Sequence, residues 1–318
     1  MDLFGQRFEA IASNVETVIQ GKRDAIELLV LALVSEGHVL VEDVPGVGKT
    51  QMAKSLARSI AGEFHRIQFT PDLLPSDVTG VSVWERNEGR FDFKPGPIFA
   101  NIVVGDEINR ASPKTQSALL EAMEERQVTS DGITRVLDAP FMVIATQNPL
   151  EHEGTYPLPE AQLDRFMMRV VMGYPSREKE LEMLDTHGVR STFHDLDPVA
   201  TLDEVLEMVD IARRVTVSAS VKNYIVDLVE GTRLHPDILL GASPRSALFL
   251  QRIARSRAAA AGRDYVMPDD VKDLAAPVLE HRLAMRPEAQ MRGETITSII
   301  GDVLSRLRVP GTTSRIAT

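Results

Sequence analysis

The chain has 318 residues, 43% of them hydrophobic and 25% charged. That balance excludes disorder, collagen and coiled coil as the main architecture and leaves room for about two domains. Lys and Arg number 35 against 46 for Asp and Glu, a formal net charge of -11, which disfavours general polyanion binding while leaving space for a local basic patch. The absence of cysteine excludes disulfides, zinc–thiolate sites and thiol nucleophiles and fits a reducing compartment. The first ten residues carry no basic-then-apolar leader. The longest apolar run, Leu28 to Val34, has seven residues, where a span needs about 20. The expectation is a soluble, cytoplasmic protein.

In chain order, helical periodicity over Asp24 to Ser35 is broken by Gly37, and His38 to Glu42 reads as a buried strand. A glycine-containing turn follows, then a helix from Thr50 to Ala61. Further strands are predicted over Phe64 to Phe69, Ile102 to Gly105, Phe141 to Ala145 and Arg169 to Gly173. Ser112-Pro113 gives an N-cap and a first-turn proline for a helix to about Arg126. Apolar strands alternating with helices predict an α/β fold with a parallel sheet covered on both faces. Two hairpins interrupt it. One turns at Asp131-Gly132, and the other joins Val81–Trp84 to Arg90–Phe93 through Asn87-Glu88-Gly89. Beyond Tyr174-Pro175-Ser176 the strands fade. Thr201 and Glu204 form a capping box before a helix to Val215, and Ser243-Pro244 opens another to about Ala261. The expected boundary divides an α/β part, 1–176, from a helical part, 177–318.

The chemistry sits at the strand ends. Asp43-Val44-Pro45-Gly46-Val47-Gly48-Lys49-Thr50 follows a strand and opens a helix, so backbone N–H groups and the helix N-terminus can cradle phosphates. Pro45, Gly46, Val47, Gly48, Lys49, Thr50 and Gln51 are therefore candidate nucleotide contacts, with Lys49 as a point charge and the Thr50 hydroxyl as a magnesium ligand. Asp43 departs from the pattern, which usually begins with glycine. A plain Gly-Pro turn before a lysine is the competing reading. Ile102 to Glu107 is an apolar strand ending in two acids: Asp106 to hold magnesium, Glu107 to take a proton from attacking water. A carboxylate base, with no Asn-Lys-x-Asp pattern, favours ATP over GTP. Val143 to Pro149 is a third strand with a polar tip, and Asn148 there can orient the water. Alone, an asparagine before proline simply starts a turn.

With Gly105 to Ala111, Thr115 to Glu121 and the segment Gly154-Thr-Tyr-Pro-Leu-Pro-Glu-Ala-Gln-Leu-Asp-Arg-Phe166, these motifs resemble AAA+ ATPases of the MoxR family. The matching pieces run from about Val18 to Arg245. The family accepts residues other than glycine at the place of Asp43. The resemblance implies a P-loop AAA+ core, a parallel sheet flanked by helices, with an all-α C-terminal lid and both hairpins as insertions. It makes Asn148 sensor 1, Arg245 a sensor-2 arginine reaching the γ-phosphate within its own subunit, and Arg165 an arginine finger offered to the neighbour. A salt bridge to Asp164 or Glu160 is the competing account of Arg165, and Arg110 is a second candidate interface arginine. Val18 and Ile19 match the segment packed on adenine, although core packing explains them equally. ATP, magnesium and a hexameric ring follow from the resemblance. So does a protein client, with von Willebrand factor A domain proteins as partners and the two hairpins as the client surface. The alternatives are an AAA+ nucleic-acid motor and the ATPase subunit of a metal chelatase. Arg245, Arg252, Arg255, Arg257 and Arg263 lie together with no acid between them, which suits a nucleic-acid motor, but a solvated face or subunit contact explains them better in so acidic a chain.

Overall fold

The computed structural model describes residues 1–43, 46–147, 155–174, 177–178 and 196–310; the expected boundary at Ser176 lies outside them. Two N-terminal helices, α1 (Asp2–Glu16) and α2 (Arg23–Val34), precede β1 (Val39–Glu42), α3 (Lys49–Ser59) and β2 (Phe64–Gln68). Then come α4 (Pro75–Thr79), the hairpin β3 (Gly80–Glu85) and β4 (Arg90–Pro95), β5 (Ile102–Asp106) and α5 (Pro113–Glu125). A second hairpin, β6 (Gln127–Ser130) and β7 (Ile133–Val136), leads to β8 (Met142–Gln147), α6 (Glu160–Leu163) and β9 (Met168–Val170).

The five core strands run in the order β2-β5-β8-β1-β9, and every pairing is parallel. Alternate side chains of a strand face opposite ways, and the core is divided accordingly. Val39, Val41, Ile102, Val104, Met142 and Ile144 pack with Ile26, Leu29, Met52 and Leu56 from α2 and α3. Leu40, Val103, Val143 and Ala145 pack instead with Leu119, Leu120 and Met123 of α5. The helix α5 starts where Ser112 Oγ accepts from the Thr115 amide and Pro113 needs no partner. The strand expected over Arg169 to Gly173 is shorter because the amides of Met172 and Gly173 donate to the Asp43 carboxylate instead of a ladder.

Both hairpins form. Asp131 and Gly132 carry φ of 54° and 74°, the left-handed pair that matches strand twist. The hairpins also touch each other: Ser82 Oγ donates to Asp131, and the Arg135 guanidinium lies 3.6 Å from the Phe93 ring centroid.

The C-terminal part is α7 (Leu202–Arg214), α8 (Ala219–Leu234), α9 (Pro244–Ala260), α10 (Pro268–Leu279), α11 (Pro287–Met291) and α12 (Ile296–Arg306). The expected capping box of Thr201 and Glu204 closes α7. One short antiparallel pair, β10 (Ile238–Leu240) with β11 (Ala284–Met285), adds to an otherwise helical lid. The lid docks firmly, since Leu250, Ile253, Leu274 and Val278 share one buried cluster with the core helices. Arg282, 4% exposed, crosses the seam by donating to the Asp164 carboxylate at 2.9 Å and the Met167 carbonyl at 3.2 Å. Arg7 of α1 donates to Glu204 and Glu207 of α7 at 2.9 and 2.7 Å. No helix among the described residues is long and apolar enough to cross a membrane.

His38 enters β1 buried. Its Nδ1 accepts from the Val143 amide at 2.9 Å and its Nε2–H donates to the Met123 carbonyl at 3.0 Å. Burial lowers its pKa to about 4; the Met123 bond opposes that shift and Arg126 adds to it. The unfolded chain takes this proton near 6.5, so the neutral ring stabilises the fold fully above that value. That stability, up to about 3 kcal/mol, is lost as pH falls from 6.5 towards 4. Denaturant midpoints measured across this window should fall more steeply in the native protein than in a His38→Asn variant. Equal slopes would contradict the assignment.

Candidate functional site

The carboxyl ends of the parallel strands bring the motif residues together. Beyond β1, Gly46 and Gly48 take φ of 85° and 91°, left-handed backbone that non-glycine residues adopt at a cost. Lys49 then starts α3, and its Nζ donates to the Asp43 carbonyl at 2.8 Å. Burial lowers the Lys49 pKa, opposed by the charges of Asp43, Asp106 and Glu107. Gly46, Gly48, Lys49, Thr50, Gln51, Asp106 and Glu107 line one cavity of about 410 Å³. Val47 packs on the main core cluster. Pro45 and Asn148 lie outside the described residues. Asp43 explains its own departure from glycine: its carboxylate accepts from the amides of Met172 and Gly173 at 2.7 and 2.5 Å, tying the phosphate loop to the chain that leaves the sheet.

Asp106 is 7% exposed and is a hub. It accepts from the Thr50 hydroxyl at 3.3 Å, the Thr146 hydroxyl at 3.1 Å and Arg66 Nε at 2.5 Å. The donor set fits magnesium. A hydroxyl and one carboxylate, with no imidazole or thiolate, is the oxygen-only pair that Mg²⁺ takes when phosphates and water complete its shell. Glu107 sits at φ 58°, strained backbone of the kind that functional residues carry. Its amide donates to Thr146 Oγ1 at 3.0 Å, and its carboxylate accepts from Gln68 Nε2 at 2.8 Å and Arg110 Nη1 at 2.9 Å. Arg110, read from the sequence as a second candidate interface arginine, thus pairs with Glu107 of its own chain. Sequence reasoning missed Arg66, Gln68 and Thr146. The available signal was polar residues at the last positions of β2 and β8, where Gln68 lies level with Asp106 in the sheet.

The two remaining arginines are elsewhere. Arg245, expected to reach the γ-phosphate of its own subunit, lines a different cavity of about 460 Å³ together with Arg165, Glu36, Gly37 and His38. Those last three residues precede β1, whereas the phosphate loop follows it. The four residues of β1 therefore separate the two cavities by about 13 Å. Arg245, at the start of α9, thus lies not beside the phosphate loop, where the resemblance would have it act, but at the amino edge of the sheet. Arg165 is there too, paired with Glu124 of α5 at 3.2 Å, and Arg245 pairs with the same carboxylate. The competing account expects a salt bridge to Asp164 or Glu160; the partner is Glu124 instead, and Asp164 is taken by Arg282 and Ser243.

Val18 and Ile19 are 6% and 8% exposed within the main cluster, and Ile19 Cδ1 lies 3.6 Å from where a side chain on Gly48 would start. Both residues are thus core residues, and Ile19 also lies against the phosphate loop. The lid arginines do not form a free basic stripe: Arg257 pairs with Glu27 at 3.3 Å and Arg263 with Asp270 at 2.6 Å.

Residues 38–168 match the family model of the ATPase family associated with various cellular activities, and residues 230–303 match the AAA lid domain. An uncharacterised Bacillus subtilis protein, YeaC, is 50% identical over 93% of both chains. The Mycobacterium tuberculosis chaperone MoxR1 is 41% identical over 93% of this chain and 81% of its own. The crystal structure of a Cytophaga hutchinsonii protein assigned as an ATPase superposes with a TM-score of 0.90 at 40% identity, over 96% of each chain.

Thr146 supports both acids with one hydroxyl. Thr146→Val keeps the shape and removes it, so nucleotide affinity should hold while turnover falls about tenfold, the equivalent of one hydrogen bond. Steady-state turnover with a parallel nucleotide titration checks this. Unchanged turnover would remove Thr146 from the site.

Proposed function

The chain belongs to the MoxR family of AAA+ ATPases and is an ATPase; on that footing we propose a magnesium-dependent cytoplasmic machine, a ring of six subunits, that remodels client protein complexes. Lys49 and the loop amides hold the triphosphate. Thr50 and Asp106 would hold magnesium, which would supply charge neutralisation to the phosphates. Glu107 takes the proton of the attacking water as the γ-phosphoryl bond to ADP breaks, and Asn148, one residue beyond β8, orients that water. Arg165 and Arg245 of the next subunit stabilise the charge that develops on the transferred group, an effect on the order of a thousandfold for such an arginine.

The observation that carries this reading is the split of the machinery across the sheet. Phosphate loop, metal ligands and base occupy the carboxyl edge, and both candidate transition-state arginines occupy the amino edge. Within one subunit they do not meet; a head-to-tail ring, each subunit offering its amino edge to the next, unites them. The chaperone name of MoxR1 supports a protein client. The joined hairpins offer a surface for one, with Trp84, Phe91, Ile133 and Val136 exposed. A von Willebrand factor A domain protein is the partner class that the family resemblance suggests. Division into a core, 1–176, and a lid, 177–318, gives hydrolysis a moving part that can pull on the client.

Glu107→Gln should bind ATP as tightly as the native protein and hydrolyse it at least a hundredfold more slowly, as expected for loss of a general base. Arg165→Ala should bind ATP, assemble, and turn over slowly as a ring. Native turnover in Glu107→Gln would refute the base assignment.

A further inference from the structure

Among the described residues, Glu124 is the one acid that touches both candidate transition-state arginines. It sits in the last turn of α5, and its two oxygens are divided between them: Oε2 pairs with Arg165 at 3.2 Å, Oε1 with Arg245. These arginines come from separate parts of the chain, one beyond α6 and one on the lid helix α9. A shared carboxylate between them sets the spacing of the two guanidiniums. The surroundings make that anchor necessary. The cavity holds five arginines, at 126, 165, 213, 245 and 252, against two acids, Glu36 and Glu124. Glu36 is occupied by Arg126 and Arg213. Arg165 also borders a second cavity with Glu121 and Glu125, but neither acid lines the cavity where it meets Arg245. Without Glu124, the two guanidiniums would face each other and Arg252 there with Glu36 already taken, and like charges in a cleft drive long side chains apart. The Arg245 hydrogen bond, with burial opposing it, holds the Glu124 carboxyl below its ordinary range, so the clamp stays ionised at neutral pH.

We propose that Glu124 is a positioning residue for the hydrolysis reaction: it clamps Arg165 and Arg245 side by side at the subunit face, so that both reach the one γ-phosphate that the next subunit presents. The cavity's excess of positive charge suits that ligand, a triphosphate terminus, which a guanidinium pair can grip with several charge-assisted hydrogen bonds. This inference rests on the trans reading of the two arginines. It adds that their alignment is set in advance by an acid that touches no substrate.

The test is Glu124→Gln in the full-length protein, with Glu124→Asp beside it. Glu124→Gln should lose at least tenfold in kcat with little change in KM for ATP, because its own phosphate loop is intact. Its thermal midpoint should match the native one, and Glu124→Asp, which keeps the charge, should retain more turnover. Mixing then places the defect. Equal amounts of Glu124→Gln and Glu107→Gln subunits should regain about one quarter of native turnover. In a head-to-tail ring, about a quarter of interfaces join an intact base to an intact arginine pair. Arg165→Ala mixed with Glu107→Gln should recover in the same way. If Arg165→Ala recovers and Glu124→Gln does not, or if Glu124→Gln alone keeps native kcat, the clamp is refuted and the trans reading stands. If neither mixture recovers, the trans reading falls and the clamp with it.

Discussion

A parallel sheet has two chemically different edges, and in this protein the difference decides where catalysis can occur. All five core strands point the same way, so their carboxyl ends gather one set of polar tips. There the loop after β1, the acids at the end of β5 and the Thr146 hydroxyl near the end of β8 meet around Asp106. Chain that enters a strand lies at the opposite edge. Arg165 precedes β9, and α5 runs back down the sheet before the second hairpin, so Arg165 and Glu124 meet at the amino edge. The lid then adds Arg245 to that edge. With about 13 Å of β1 between the two edges, Arg165 and Arg245 lie away from the phosphate loop of their own subunit, whose cavity Arg66 lines instead.

Buried polar ties hold the two halves in this relation. The Asp43 carboxylate captures the backbone amides of Met172 and Gly173, and Lys22 Nζ grips the carbonyls of Met172 and Tyr174 at 2.6 and 2.8 Å. The phosphate loop and the chain leading towards the lid thus share one residue. At the other edge Arg282 is fixed in the seam by Asp164 and by backbone carbonyls. Burial lowers its pKa to about 10, with Asp164 opposing, and that value keeps it charged at neutral pH. Lost contact on either side would leave a buried donor or charge unmatched, which costs more than such a pair contributes.

The local part of this design was legible in the sequence. Strand, glycine turn and helix start at Gly46 to Thr50 are contiguous, and the acid pair ends an apolar run at Asp106 and Glu107. Capping residues at Ser112, Thr201 and Ser243 act within three residues of themselves, and all three helix starts are where periodicity puts them. What the sequence hides depends on tertiary packing. Asp43 looked like a departure because its partners are 129 and 130 residues away. Arg66 and Gln68 carry no motif, and Thr146 sits in the Val143 to Pro149 motif with no role assigned to it; the register of the sheet brings all three beside the acids. Arg245 was recognisable as a functional arginine, but which edge it serves depends on the side from which the lid docks. Leu250 and Ile253 pack in one buried cluster with the core helices, and Arg245 on the same helix meets Glu124 of α5.

Because the account divides the site between two subunits, its central claim concerns assembly. The direct measurement is ATP turnover per subunit across a dilution series, with molar mass followed by light scattering in the same samples. The account predicts that turnover per subunit collapses as the ring dissociates, while each isolated subunit still binds nucleotide. Constant turnover per subunit in samples that scatter as monomers would contradict it.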